Sequence, residues 1–278
     1  MSAMTNLTEA ERAVGSFYDE QAESEITRLD TLAPVEYAMT VRYLERYVAA
    51  GSTVADVGVG GGQYDEFLAR RGCRLHLADV SERLLAHAVS RLESCRFGDR
   101  VADARVASAT DLAHLRDASC DAVLLLGPLY HLLTIDERRR AVAEGSRVLR
   151  PGGILFATAC NRFAGLTAGF VLEPERGAEL LTWYRQFLVD GLVDPAHAPG
   201  IGYAHFSTIG EFEALFAGSF ETVLFAGLES ITEVDPEQWA GLPEPDRMAW
   251  LELVELTASS RDALAMSGHL LFVGRRPA

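Results

Sequence analysis

The sequence has no apolar run near the ~18 residues that a membrane-spanning helix requires. Residues 1–20 are polar and lack the apolar centre of a secretory leader, so a cytoplasmic protein is expected. Basic side chains are scarce: 25 against 40 acidic ones, a net charge of −15. A sequence-independent hold on nucleic acid needs cations to displace phosphate counterions, and this balance argues against it. The same deficit argues against docking on an anionic membrane. Cysteine is sparse, and the four, at 73, 95, 120 and 160, form no C-x-x-C pair. A zinc centre is therefore not expected and no metal is assigned; the thiols are expected to stay reduced and fill the core. Internal repeats and low-complexity tracts are absent as well.

What is present is ordinary globular composition, 49% hydrophobic and 23% charged. At 278 residues the chain suits one large α/β domain or two smaller ones, and either buries a sizeable core. Short apolar runs at 53–57, 74–78, 104–107, 122–126 and 154–159 read as strands. Helix patterns separate several of them. Leu84, Leu85, Ala88, Val89 and Leu92 share one helix face, with Ser81 at the N-cap. Thr134 and Glu137 have the spacing of a capping box, for a helix expected to run to Leu149 before Pro151-Gly152-Gly153 turns the chain. Two further strands, at 221–226 and 269–274, flank a helix pattern over 248–256, which brings the strands to seven. Such alternation implies parallel strands with right-handed crossovers and helices on both faces of the sheet. Two stretches break the rhythm. The first fifty residues are helical in pattern, with Tyr37, Val41, Leu44 and Val48 on one face. Residues 160–206 hold a helix pattern (Leu180, Leu181, Tyr184, Phe187, Leu188) and then a stretch rich in glycine, proline and histidine.

The segment Val54-Ala55-Asp56-Val57-Gly58-Val59-Gly60-Gly61-Gly62 carries the most chemistry. A strand ends in a glycine-rich turn, and a helix pattern follows (Tyr64, Phe67, Leu68). Glycines let the backbone approach a ligand, and a helix start offers it unpaired N–H groups. The dinucleotide fingerprint G-x-G-x-x-G fails, because Gln63 stands where the third glycine belongs. Asp56 precedes the first glycine by two residues, where it would repel a pyrophosphate but suit an ammonium group. Asp79 ends the next strand, about twenty residues past the loop, where an acid holds both ribose hydroxyls. A ligand with a ribose, an ammonium and no phosphate is S-adenosylmethionine.

On these residues the chain resembles the class I S-adenosylmethionine-dependent methyltransferases. Asp56, Gly58, Gly60 and Gly62 fill the motif D-x-G-x-G-x-G, and Leu77-Ala78-Asp79-Val80-Ser81 is similar to the acidic end of the family's second strand. Cys120-Asp121-Ala122-Val123 and Leu129-Tyr130-His131 are similar to its fourth strand and the segment after it. Arg147-Val148-Leu149-Arg150-Pro151-Gly152-Gly153 resembles its R-V-L-K-P-G-G turn before strand five. Further out, the chain is similar to a subgroup of bacterial small-molecule methyltransferases. The similarity lies in Phe17-Tyr18-Asp19, Glu25 with Arg28-Leu29, Gly127-Pro128-Leu129-Tyr130-His131-Leu132, Ala204-His205-Phe206 and Ser267-Gly268-His269-Leu270-Leu271. The resemblance implies a single domain over 1–278. Its fold would be a Rossmann-like, seven-stranded α/β sheet with an antiparallel last strand, a helical cap (1–50) and a lid insertion (160–206). One departure stands out. The family's third strand commonly ends G-D-A, its Asp meeting the adenine amino group; here Ala107-Ser108-Ala109 matches, with Asp111 nearby as a substitute acid.

The activity implied is transfer of a methyl group from S-adenosylmethionine to an oxygen or nitrogen of a small-molecule metabolite. Asp79, with Val80 beside it, would bind the ribose, and residues 58–62 would wrap the methionine and ribose portion. Ser108 and Ala109 would face adenine, and Gly127, Tyr130 and His131 would line the methyl-donor side. Tyr18 is counted with the cofactor contacts. Asp56 either reaches the ammonium or only orients the loop. His131 and His205 are the candidate bases, because imidazole titrates near neutral pH. Packing beside the cofactor is the alternative for His131, and an ordinary hydrogen-bonded role for His205. Tyr18, Tyr130 and Tyr203 are placed to position the acceptor. Glu25 and Arg28 are spaced to pair on a helix, Trp183, Tyr184 and Phe187 read as lid core, and His269 as structural. No nucleic-acid or membrane partner follows, and a homodimer stays open. Two other functions would keep the same loop: a fold relative that does not transfer methyl, of cyclase or decarboxylase type, and an S-adenosylmethionine-binding regulatory protein.

Overall fold

Five parallel strands form the centre of the sheet: β1 (Thr53–Val57), β2 (Arg74–Asp79), β3 (Val101–Val106), β4 (Cys120–Leu125) and β5 (Leu149–Cys160). A computed structural model describes residues 7–198, 200–229 and 235–278 of the chain. Residues 1–6 of the expected cap and residue 199 of the expected lid lie outside the described residues. A short ladder of β6 (Leu192–Val193) and β7 (Ala204–His205) precedes β8 (Glu221–Gly227) and β9 (His269–Arg275). The seven-stranded order is β3-β2-β1-β4-β5-β9-β8, with β9 antiparallel to both neighbours. The fold is the expected Rossmann-like α/β sheet.

Three helices precede it: α1 (Glu9–Glu20), α2 (Ala22–Thr31) and α3 (Pro34–Tyr47). α4 (Gln63–Arg70) follows β1 and α5 (Glu82–Ser94) follows β2; α6 (Pro128–His131) and α7 (Ile135–Val148) join β4 to β5. Local chemistry sets their starts. Ser81 Oγ accepts the Leu84 N–H at 3.0 Å, and Thr134 with Glu137 forms the expected capping box. Apolar side chains of β1, β2, β4 and β5 are buried on both faces, as strands sandwiched between helix layers must be. All 25 basic side chains are arginines, so every ion pair of a basic side chain is made by a guanidinium or a histidine. Among the described residues no helix is long and apolar enough to cross a membrane.

Three local expectations need correction. β5 begins at Leu149 rather than 154, because Pro151-Gly152-Gly153 sits inside the strand as a bulge. Its register slips between Cys120↔Leu149 and Ala122↔Ile154, and Gly152 takes φ +77°. In α3 Leu44 and, at its end, Val48 are buried as expected, but the buried stripe also takes in Glu36, Met39, Thr40 and Tyr43, while Tyr37 and Val41 are half-buried beside it. That rotation turns Glu36 inward, where Arg28 meets it. Within residues 160–206, the expected lid, α8 (Arg162–Leu172) and α9 (Gly177–Asp190) accompany a small core of Phe187, Val193 and Ala204, with Trp183, Tyr184 and Phe206 against it. Only part of the predicted α9 stripe is inside: Leu180 and Phe187 are buried, whereas Leu181 and Leu188 face outward.

Candidate active site

The sheet order reverses between β1 and β4, with β2 and β3 to one side and β5 to the other. Crevices at the carboxyl ends of strands at such a point are where open α/β sheets hold ligands. Here the crevice holds about 880 Å³ of empty space, part of it open to solvent. The glycine loop after β1, the end of β2, the loop after β3, α6 and the cap helices α1 and α2 wall it.

The loop's shape depends on its glycines. Gly58 has φ +86°, and a Cβ there would lie 2.9 Å from Pro128 Cδ. Gly62 has φ +75°, and a Cβ would press on Ala88 at 3.0 Å. Gly58 and Gly60 line the crevice; Gly62 starts α4 behind it. Asp79 closes the far side. Its Oδ1 accepts the Ser81 N–H at 2.8 Å and its Oδ2 the Gly60 N–H at 3.4 Å. Burial pushes its pKa up to about 6, against the pull of those amide groups. Val80, Leu84, Ala107 and Ala109 give the crevice wall an apolar slot.

Asp56 does not line the crevice. It is buried beneath the loop against the carboxyl of Asp65, from the first turn of α4. Both carboxyls are held well above the ordinary range, by burial first; the Asp65 charge pushes Asp56 up further, whereas Asp65 reaches about 7 against the pull of its hydrogen bond with Asp56. Asp56 Oδ1 and both Asp65 oxygens have no other hydrogen-bond partner. The pair therefore shares a proton at neutral pH.

Ser108 lines the crevice, but its hydroxyl is committed. It donates to Glu11 Oε1, and Thr110 Oγ1 donates to the same oxygen at 3.0 Å. Glu11 Oε2 meanwhile accepts the N–H and hydroxyl of Thr8 in the capping box of α1. An acid does stand beside Ser108, from α1 rather than from Asp111, whose Oδ1 accepts the Ala113 N–H and which is not among the crevice residues. Sequence reasoning missed Glu11, and its one signal, Thr8-x-x-Glu11, reads as helix capping alone.

Gly127, Tyr130 and His131, expected on the methyl-donor side, line the crevice, as does Tyr18. His131 Nδ1 lies 2.9 Å from the Tyr203 carbonyl, which can only accept, so Nδ1 carries the proton. Nε2 is then an acceptor, and the Tyr18 hydroxyl donates to it at 2.8 Å. Burial lowers the His131 pKa to about 4, so the ring is neutral in the physiological range. Burial, with the Glu25 charge next, raises that of Tyr18 well above its usual value. His205 lies elsewhere. It is buried on β7 with Ser207 Oγ at 3.4 Å from Nδ1, and it is not among the residues lining the crevice.

A chain of alternating charge runs from the crevice toward β9. Glu25 Oε1 accepts from Arg28 Nε at 3.2 Å; Arg28 forks onto Glu36 at 2.8 and 3.3 Å. His269 Nδ1 stands 3.7 Å from Glu36 and 2.6 Å from Glu229. Despite burial, those two carboxylates hold the His269 pKa well above its ordinary value. Glu36, Glu229 and His269 bring ligand atoms within 4.8 Å of one another, the spacing a metal ion would need. The Arg28 fork and the protonated imidazole already supply that charge.

Residues 55–157 match the family model described as "Methyltransferase domain". A ubiquinone biosynthesis O-methyltransferase from Xanthomonas axonopodis pv. citri (strain 306) is 37% identical over 153 residues, covering 55% of this chain and 60% of the relative. The chain thus spans less than two thirds of the curated relatives it matches. Among solved structures, the [4+2]-cyclase SpnF is similar with a TM-score of 0.61 at 19% identity, covering 96% of each chain. The N-methyltransferase NodS from Bradyrhizobium japonicum WM9, solved with S-adenosyl-L-homocysteine, gives 0.56 at 15% identity, covering 94% of this chain and 99% of that one. At such identities these two speak for the fold. The crevice itself fits S-adenosylmethionine: an apolar slot for a flat base, a buried carboxylate for a diol, and a glycine loop whose close approach any Cβ at Gly58 would obstruct. Residues 55–157 thus match a methyltransferase domain, and the fold and the crevice around them are similar to those of S-adenosylmethionine-dependent methyltransferases.

Proposed function

We propose that the chain transfers the methyl group of S-adenosylmethionine to an oxygen or nitrogen atom of a small-molecule acceptor. The observation that carries this reading is the Tyr18–His131 pair, which lines the crevice together with Gly127 and Tyr130. When bound, the cofactor supplies an electrophilic methyl on a sulfonium. The residues supply alignment, exclusion of water and a path for a proton. An acceptor O–H or N–H resting on the Tyr18 oxygen gives up its proton there while the Tyr18 proton moves to His131 Nε2. With the cofactor bound, the acceptor's lone pair would form the new bond to carbon as the carbon–sulfur bond broke with its electrons on sulfur. Tyr203, through its carbonyl, keeps the imidazole in the tautomer this requires.

The curated relatives' name, ubiquinone biosynthesis O-methyltransferase, supports an oxygen acceptor, so phenols and catechols are the first compounds to test. The assay follows S-adenosylhomocysteine release and the mass of the acceptor. A gain of one methyl per S-adenosylhomocysteine supports the reading. Cofactor binding with no S-adenosylhomocysteine from any hydroxyl or amine acceptor would overturn it.

A further inference from the structure

We propose that Glu25, on α2, receives the α-ammonium group of the cofactor, a role that the loop motif alone would assign to Asp56. The inference rests on the cofactor reading above and concerns its amino-acid end. Asp56 is out of reach: its carboxyl is buried under the loop against Asp65 and forms no part of the crevice wall. Glu25 does form part of that wall. A Cβ built on Gly60 would sit 3.6 Å from Glu25 Oε1, so the carboxylate faces the middle glycine of the loop. Asp79, the ribose acid, lies near enough to feel the charge of Glu25, and so does Tyr18. That places Glu25 between the ribose end and the methyl-donor end, where the amino-acid tail of the cofactor must lie.

Its bonding is incomplete in the right way. Among the described residues Glu25 accepts one hydrogen bond, from Arg28 Nε to Oε1, and Oε2 takes none. Arg28 is already neutralised from behind by the two-pronged contact with Glu36. Glu36 is shared with His269, which Glu229 holds in turn. Glu25 is thus the carboxylate end of an alternating chain, with a surplus negative charge turned to the crevice. A half-buried carboxylate with a free oxygen meets an ammonium by a charge-assisted hydrogen bond, which is stronger than a neutral one.

The test compares two ligands by calorimetry on the full chain: S-adenosylhomocysteine, and the same molecule with hydrogen in place of its α-amino group. The unaltered chain is expected to favour the first by about tenfold or more. In Glu25→Gln that preference should collapse, with the loss confined to S-adenosylhomocysteine. Glu25→Asp keeps the charge and should retain part of the preference; its melting curve guards against misfolding in the first variant. Equal weakening of both ligands, or no change in either, would overturn the assignment. Failure of the unaltered chain to bind S-adenosylhomocysteine would instead remove the cofactor reading itself.

Discussion

Glu11 and Ser108 meet across the crevice, the carboxylate of α1 taking the hydroxyl hydrogen of the loop after β3. The same carboxylate caps the start of its own helix through Thr8. One side chain therefore both begins the cap helix and fastens it to the sheet.

Removing that fastening should loosen the cap. Glu11→Gln leaves one neutral acceptor oxygen and puts an NH2 donor in place of the other, so one end loses its acceptor, and Ser108→Ala removes one donor to a charged group. Each is expected to cost about 1–3 kcal/mol of stability. Hydrogen exchange in α1 should accelerate in both variants while β1 and β4 stay protected. Unchanged protection in α1 would show that the contact does not hold the cap down.

Cofactor affinity should fall in acid. In the proposed role Asp79 is ionised to accept two ribose hydroxyls, and burial raises its pKa to about 6. Below that pH the folded crevice increasingly carries a neutral acid. Binding of S-adenosylhomocysteine should be flat above pH 7 and weaken as pH drops through 6. Asp79→Ala should bind weakly throughout and lose most of this pH dependence.

The Tyr18–His131 pair should govern turnover and not cofactor binding. Tyr18→Phe and His131→Ala are each expected to lower kcat on the order of a hundredfold. The double variant should fall little further, because the two act as one path. His205→Ala tests the other imidazole, and near-normal turnover is expected since it lies outside the crevice wall. Additive losses in the double variant would separate the roles of Tyr18 and His131.

The buried Asp56–Asp65 pair makes a stability prediction with a definite sign. Asp65 titrates at about 7 when folded, against an ordinary 3.8. Between those values the folded chain binds more protons than the unfolded one, so stability declines as pH rises through that window. Asp65→Asn removes this cost. Its melting temperature relative to the unaltered chain should be higher at pH 8 than at pH 5. An offset independent of pH would mean that the pair does not share its proton.

Much of this was legible in the residues. Strand runs, the Ser81 and Thr134 caps, the glycine loop and Asp79 are local patterns, fixed by neighbours a few positions away. What escaped depends on the tertiary fold. Glu11 carries a capping signature that hides its second contact. Asp65 is an ordinary acidic residue of a first helical turn until the fold buries it against Asp56. Glu36 and His269 lie far apart in sequence, and no spacing rule links them. The third-strand departure at Ser108 was visible, but the acid beside it comes from another helix.

The position of β9 has a consequence for the order in which the chain takes shape. β8 leaves the ribosome before β9, yet it joins the sheet only through β9, which inserts between it and β5. Until then β8 has no neighbour, and the edge of β5 stands open to stray pairing. His269, the first residue of β9, arrives with the same strand to balance Glu36. The nascent chain thus shows every lining residue of the crevice early, but secures the charges behind it only when this late strand slides into place.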